Sequence, residues 1–127
     1  MNIQRFRNSQ SKYEYGCDLR RVYPWPEVAS PSWGTAIASV RPNECTTPHS
    51  HNEFETFLVL SGQGRMTIED ETEEMSAGDV VFIPKDKRHQ FANTSGTDPL
   101  VFLTIFWDSP EARERIAELV STGKEDR

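Results

Sequence analysis

Three side chains with metal-binding chemistry, His49, His51 and Glu55, stand at odd-numbered positions of one short stretch. On a helix, residues two positions apart point to nearly opposite sides. On a strand they share a face, because side chains alternate with period two. An extended backbone therefore projects all three donors the same way. The run Phe57-Leu-Val-Leu60 that follows is β-prone, and Ser61-Gly62 stops it. A fourth donor, His89, comes after a second apolar run, Gly78 to Pro84. The chain has three histidines, and all three fall in this pattern. A lone histidine is usually a satisfied structural residue; three at these spacings, with a glutamate in register, argue for a shared site. Three neutral imidazoles and one carboxylate suit a borderline divalent metal, and ligand type alone does not choose among zinc, iron, manganese, nickel, cobalt and copper.

Patterning around the two runs is that of strands. Asp18 to Tyr23 reads as a first strand, broken by Pro24-Trp25-Pro26. Trp33 to Val40 is the next. Arg65 to Glu69 follows a Gly62-Gln-Gly64 turn, and the acidic run Glu69 to Glu74 reads as a solvated hairpin tip. Leu100 to Trp107 is a long apolar strand expected to be buried on both faces. Ser109-Pro-Glu opens a helix, with serine as N-cap and proline at the first helical position. Ala112, Ile116, Leu119 and Val120 share one face of it, and Gly123 ends it. The expected organisation is a polar N-terminal arm over residues 1–16, mobile or an edge strand, a barrel over 17–108, and a helix over 109–123 packed on its outside.

In the strand after Glu55, Phe57 and Val59 share parity with the donors and should line the interior. Phe54, Leu58 and Leu60 point outward. An exposed outer face would alternate with polar residues, so this one calls for a cover. A homodimer packing sheet on sheet is expected, with the N-terminal arm as the other possible cover. Phe57, Val59, Phe91 and Trp33 are the candidate substrate-pocket residues. Gln90, Asn93 and the tyrosines are possible neighbours of the ligands. Cys45, four residues before His49, reads best as a small buried hydrophobe. Lys85, Lys87 and Arg88 form a small basic group before His89, read as a solvated loop.

Length and charge exclude several functions. A chain of 127 residues suits one core. The net charge is −6, from 14 basic and 20 acidic residues, which argues against a nucleic-acid surface. No apolar run approaches the roughly 20 residues of a membrane span. The polar N-terminus does not read as a signal peptide, so a cytoplasmic location is expected.

The two stretches resemble a known family. His49-x-His51-x3-Glu55-x6-Gly62 is similar to the first cupin motif, and Gly78-x5-Pro84-x-Asp86-x2-His89-x3-Asn93 to the second. One position departs: Asp86 stands where the family usually has glycine. The resemblance implies an all-β, single-domain jelly roll of around eight strands with a short C-terminal helix. It implies one divalent transition metal held by His49, His51, Glu55 and His89, with one or two coordination positions left open. Cupins of this kind include dioxygenases, isomerases, lyases and decarboxylases acting on small polar or acidic molecules. Glu55 counts against the thiol dioxygenases, which typically use three histidines without it. Ser32-Trp-Gly-Thr35 and Phe102 to Ala112 also resemble small zinc cupins that work with methionyl-tRNA-synthetase-like partners. That resemblance implies nitrogen–nitrogen bond formation in natural-product biosynthesis with a synthetase-like partner protein. A third reading, from another class, is a non-catalytic barrel that uses the metal to hold a ligand.

Overall fold

In a computed structural model, which describes residues 1–8 and 10–122, the strand periodicity of the sequence closes into two facing sheets. A 3₁₀ turn over Phe6–Asn8 precedes nine strands: β1 (Lys12–Glu14), β2 (Cys17–Tyr23), β3 (Gly34–Val40), β4 (Phe54–Ser61), β5 (Gln63–Ile68), β6 (Glu71–Ser76), β7 (Val80–Ile83), β8 (His89–Asn93) and β9 (Leu100–Trp107). One helix, α1 (Pro110–Thr122), follows. The larger sheet has the order β1-β2-β3-β9-β4-β7, and the smaller one β6-β5-β8. All the pairings are antiparallel. The architecture is a single-domain jelly-roll barrel, the closure that leaves few open sheet edges.

Alternation decides what faces inward. In β4 the inner residues Glu55, Phe57 and Val59 are buried, whereas Phe54, Thr56 and Leu58 are half-buried. In β8 the inner residues are His89, Phe91 and Asn93. The core is formed by Phe91, Phe102, Ile83, Leu100, Val40 and Val59, all fully enclosed. Leu100–Trp107 differs from the expected strand buried on both faces: its inner side is buried and its outer side only half-buried.

The acidic run also divides differently from the sequence reading. Only Glu69 and Asp70 form the tip, with Glu69 in a left-handed conformation (φ 52°). Glu71 to Ser76 pairs with β5 as an edge strand. Charged side chains suit a sheet edge, where they oppose further pairing. At the N-terminus, the polar stretch enters the larger sheet as β1, held by a turn at Tyr15 and Gly16, both at positive φ. A Cβ on Gly16 would stand 2.6 Å from the Cys45 carbonyl oxygen, so the close approach of this turn to the first motif requires glycine.

Helix α1 begins as its sequence predicts, with the Ala112 amide donating to Ser109 Oγ at 3.2 Å. Ala112 is buried and Ile116 exposed. The side chains of Leu119 and Val120, and the stop at Gly123, lie outside the described residues. The outer face of the larger sheet carries a group of three rings, Phe54, Phe82 and Trp107, with centroids 5.8–6.2 Å apart. On the same face Phe82 is 51 % exposed, Val80 62 % and Leu60 47 %. The N-terminal segment therefore leaves this face open and is not its cover.

Candidate metal centre

The donors come from three places that the topology brings together. Glu55 is the second residue of β4, His89 opens β8, and His49 and His51 lie on the loop leading into β4. His49 is pinned to His89 by a reciprocal backbone pair: each amide donates to the other's carbonyl, at 3.2 and 2.9 Å. The Asp86 amide donates to the His51 carbonyl at 3.0 Å. Asp86 itself takes the left-handed conformation (φ 62°) that glycine usually fills, and aspartate tolerates this better than most residues. The departure from the second motif therefore preserves the turn.

One ligand atom from each of His49, His51 and His89 lies within 4.8 Å of the others. Ring centroids are 4.5–5.1 Å apart. Two of the three Nδ1 atoms, those of His49 and His89, meet a backbone acceptor outside the cluster, and His51 Nδ1 is buried without a hydrogen-bond partner. His49 Nδ1 lies 2.6 Å from the Thr47 carbonyl, His89 Nδ1 3.0 Å from the Lys87 carbonyl, and His51 Nδ1 3.5 Å from Glu53 Oε1. In His49 and His89 a proton held there leaves Nε2 as the free lone pair, the arrangement by which outer partners orient metal-binding imidazoles. Glu55 Oε1 sits 3.1 Å from His51 Nε2 and 3.6 Å from His89 Nε2. Both Glu55 Oε1 and His89 Nε2 are buried without a hydrogen-bond partner. Buried polar atoms are normally satisfied, so two orphans facing one point fit a cation-binding cluster. These residues could hold a metal ion.

The carboxylate is held from behind. Thr104 Oγ1 donates to Glu55 Oε2 at 2.5 Å, and Thr35 Oγ1 donates to the Thr104 carbonyl at 2.6 Å. All three residues are buried. Titration in this cluster is divided. The Glu55 carboxylate beside it raises the pKa of His51, whereas burial lowers that of His89. Burial also raises the Glu53 carboxyl.

The cluster opens into a cavity of about 170 Å³, below the roughly 300–1,000 Å³ of sites for drug-sized ligands. Phe57 lines it, with Phe102 and Phe106. The other sequence-derived pocket candidates lie elsewhere. Val59 and Phe91 are enclosed in the core, and Trp33 lines an outer groove with Ile105, Trp107 and Ile116. Lining residues that sequence reasoning missed include Cys17, Arg21, Ala36, Ala38 and Thr104. Their signal was the inward parity of β2, β3 and β9, legible only once those strands are known to border the cavity.

Of the possible neighbours, Tyr15 stacks on His49 with centroids 5.3 Å apart. Asn93 instead clamps a loop, donating to the Val40 and Asp98 carbonyls. Cys45 is exposed rather than buried, and its Sγ accepts from Gln90 Nε2. Cys17 is the buried thiol; burial pushes its pKa up to about 11, which keeps it protonated. The basic group does not border the cavity, and Lys85 pairs with Asp108 at 2.9 Å.

Comparison with known proteins bears on the fold. The family model for the Cupin domain matches residues 36–106. The structure of the plu4264 protein from Photorhabdus luminescens has a TM-score of 0.81 and 33 % identity, covering 94 % of this chain and 98 % of that one. The polyketide cyclase RemF from Streptomyces resistomycificus has a TM-score of 0.70 and 26 % identity, covering 84 % of this chain and 78 % of that one. A protein named polyketide synthase CurC, from Streptomyces cyaneus, is 33 % identical over 61 % of this chain and 51 % of its own length. The chain spans about half to two thirds of the length of the curated relatives it matches. Among the described residues, no helix is long and apolar enough to cross a membrane.

Proposed function

The chain belongs to the cupin family, and from that premise we propose that it is a metal-dependent enzyme acting on a small polar or acidic organic molecule. His49, His51, His89 and Glu55 would hold one divalent transition metal. The observation that carries this reading is the convergence of three imidazole donors within 4.8 Å beside two orphaned buried atoms. A metal bound there supplies Lewis acidity towards a carbonyl or enolate oxygen, or activation of water or dioxygen. The protein's own residues do the rest. Thr104 fixes one carboxylate oxygen of Glu55 and turns the other to the histidines. Phe57, Phe102 and Phe106 wall the cavity with apolar surface. Glu53, on the cavity wall beside His51 with its carboxyl raised by burial, is the side chain placed to exchange a proton with a bound molecule.

A second reading is favoured by the likeness to RemF and CurC: a ring-closing step on a small oxygenated chain in natural-product biosynthesis. The cavity volume favours a substrate much smaller than a full aromatic polyketide. The expected setting for either reading is a cytoplasmic homodimer, with the open face of Phe54, Phe82 and Trp107 buried between copies.

Elemental analysis of protein purified without a metal-affinity step tests the core of the reading. One metal ion per chain is expected, and none in a His49→Ala control. Equal metal content in the two would overturn it. A zinc-only result would favour Lewis-acid chemistry, and a redox-active metal would favour oxygen-dependent chemistry.

A further inference from the structure

The inner face of the larger sheet has a gap, and its register says what spans the gap. Cross-strand partners place Arg21 opposite Ala36, Ala36 opposite Thr104, and Thr104 opposite Phe57. These four residues form one row across β2, β3, β9 and β4. Adjacent strands lie about 4.8 Å apart, so the Arg21 and Thr104 backbones are separated by two spacings, about 10 Å. Thr104 carries the hydroxyl that holds Glu55. Between it and Arg21 stands Ala36, whose side chain is a single methyl. The next inward residue of β3 is Ala38. Both alanines are buried and line the cavity. Alanine here, where the β3 inner face ends in Val40, is what leaves the space open.

Among the described residues that line this cavity, Arg21, its side chain 40 % exposed, is the one arginine or lysine; Glu53 and Glu55 are the acidic ones. The guanidinium is held by an ion pair with Glu14, which also lies 3.5 Å from Lys12. It carries five N–H donors in a fixed fork, and the contact with Glu14 engages Nη1. A charged donor group on the wall of a largely apolar cavity, across a methyl-lined gap from a metal-binding cluster, has the form of a ligand anchor.

We propose that Arg21 binds a carboxylate of the ligand, so that the molecule taken by this site is a short organic acid lying across Ala36 with its other polar end at the histidines. The inference rests on the metal reading above for the second contact, and it adds the specificity device: charge at Arg21, length set by the row, bulk limited by Ala36 and Ala38.

The test uses the full chain loaded with zinc and a matched probe pair, 3,4-dihydroxybenzoate and catechol, which differ by one carboxylate and share a metal-seeking end. Calorimetric titration should give at least about tenfold tighter binding of the acid. In Arg21→Gln that preference should fall to about one, and Arg21→Lys should restore part of it, with zinc content unchanged in both. Ala36→Leu should weaken both probes with zinc retained. Equal binding of the pair by the unmodified chain, a preference that survives in Arg21→Gln, or no binding of either probe would each overturn the proposal. If the chain takes up no zinc, the metal reading fails separately. Benzoate against benzamide on the metal-free chain then decides the role of Arg21 by the same loss of preference in Arg21→Gln.

Discussion

The two ends of the barrel interior are built on the same strands and differ in almost everything else. Along β4 the inward residues run Glu55, Phe57, Val59; along β8, His89, Phe91, Asn93; along β3, Gly34, Ala36, Ala38, Val40; along β9, Phe106, Thr104, Phe102, Leu100. At one end Val40, Leu100, Val59 and Phe91 are enclosed with no exposed surface to speak of. At the other, histidines, a carboxylate and alanines leave atoms without partners and a cavity beside them. The backbone alternation is common to both. Side-chain volume and hydrogen-bonding capacity alone turn one end into a core and the other into a site. The closed end supplies the rigidity that lets the open end keep unsatisfied groups in fixed positions.

The difference can be broken most forcefully at the closed end. Phe91→Ala removes a fully buried ring that packs on Phe57 and Phe102, and should cost about 3–5 kcal/mol of stability. Urea denaturation of the metal-free protein measures it. A loss under about 1 kcal/mol would mean that this end is not the packed core described. At the open end the order of effects should reverse. Thr104→Val takes away the hydroxyl that holds Glu55 at nearly constant volume, and should weaken metal binding by about 10–100-fold. Thr104→Ser should recover most of that affinity. Competition with a chromophoric chelator reads both, and an unchanged affinity in the valine variant would remove Thr104 from the site.

Acid sharpens the comparison, because it acts on the open end alone. The pKa of His51 is raised by the Glu55 carboxylate beside it. Its contribution to the metal-free fold is therefore present below about pH 6.5 and lost as pH rises through the raised value. Metal requires the neutral ring. His89, lowered by burial, is already neutral near pH 7 and does not add to the competition there. Apparent metal affinity should fall by at least about tenfold per pH unit below the His51 pKa, one displaced proton setting the minimum slope. The melting-temperature gap between metal-loaded and metal-free protein should narrow with it. A gap that stays constant from pH 7.5 to 5 would count against imidazole ligation. The smallest effect on stability belongs to the outer face. Phe82→Lys should change the stability of the isolated chain by about 0.5 kcal/mol or less while shifting sedimentation of the proposed dimer to monomer. A dimer that survives the change would place the interface elsewhere.

The donors were legible from sequence because strand parity is local: His49, His51 and Glu55 declare a common face without any knowledge of what they pair with. Helix α1 was legible for the same reason, through Ser109 and Pro110. What parity does not carry is register. Nothing in β2 alone says that Arg21 stands opposite Ala36, or that Thr104 of β9 faces Glu55 of β4 from 49 residues away. The assignment of Val59 and Phe91 to the pocket followed from correct inward parity, but depth along the strand decides between core and cavity. Trp33 was placed by its aromatic character, and the strand that begins after it turns it to the outside. The acidic run misled because composition outweighed alternation: Glu71 to Ser76 has few apolar residues to signal a strand, and Met75 is the one it buries.

The reciprocal backbone pair between His49 and His89 divides the donors between two halves of the chain. A cut at the exposed tip between Glu69 and Asp70 would leave His49, His51 and Glu55 on one fragment and His89 on the other. Neither fragment alone has the full donor set, and the interface that rejoins them is five ladders, β3–β9, β4–β7, β4–β9, β5–β6 and β5–β8. The centre is thus a built-in reporter of reassembly: two separately produced halves would show tight metal retention only when they meet, which makes this barrel a scaffold for a split-protein sensor read out by metal alone.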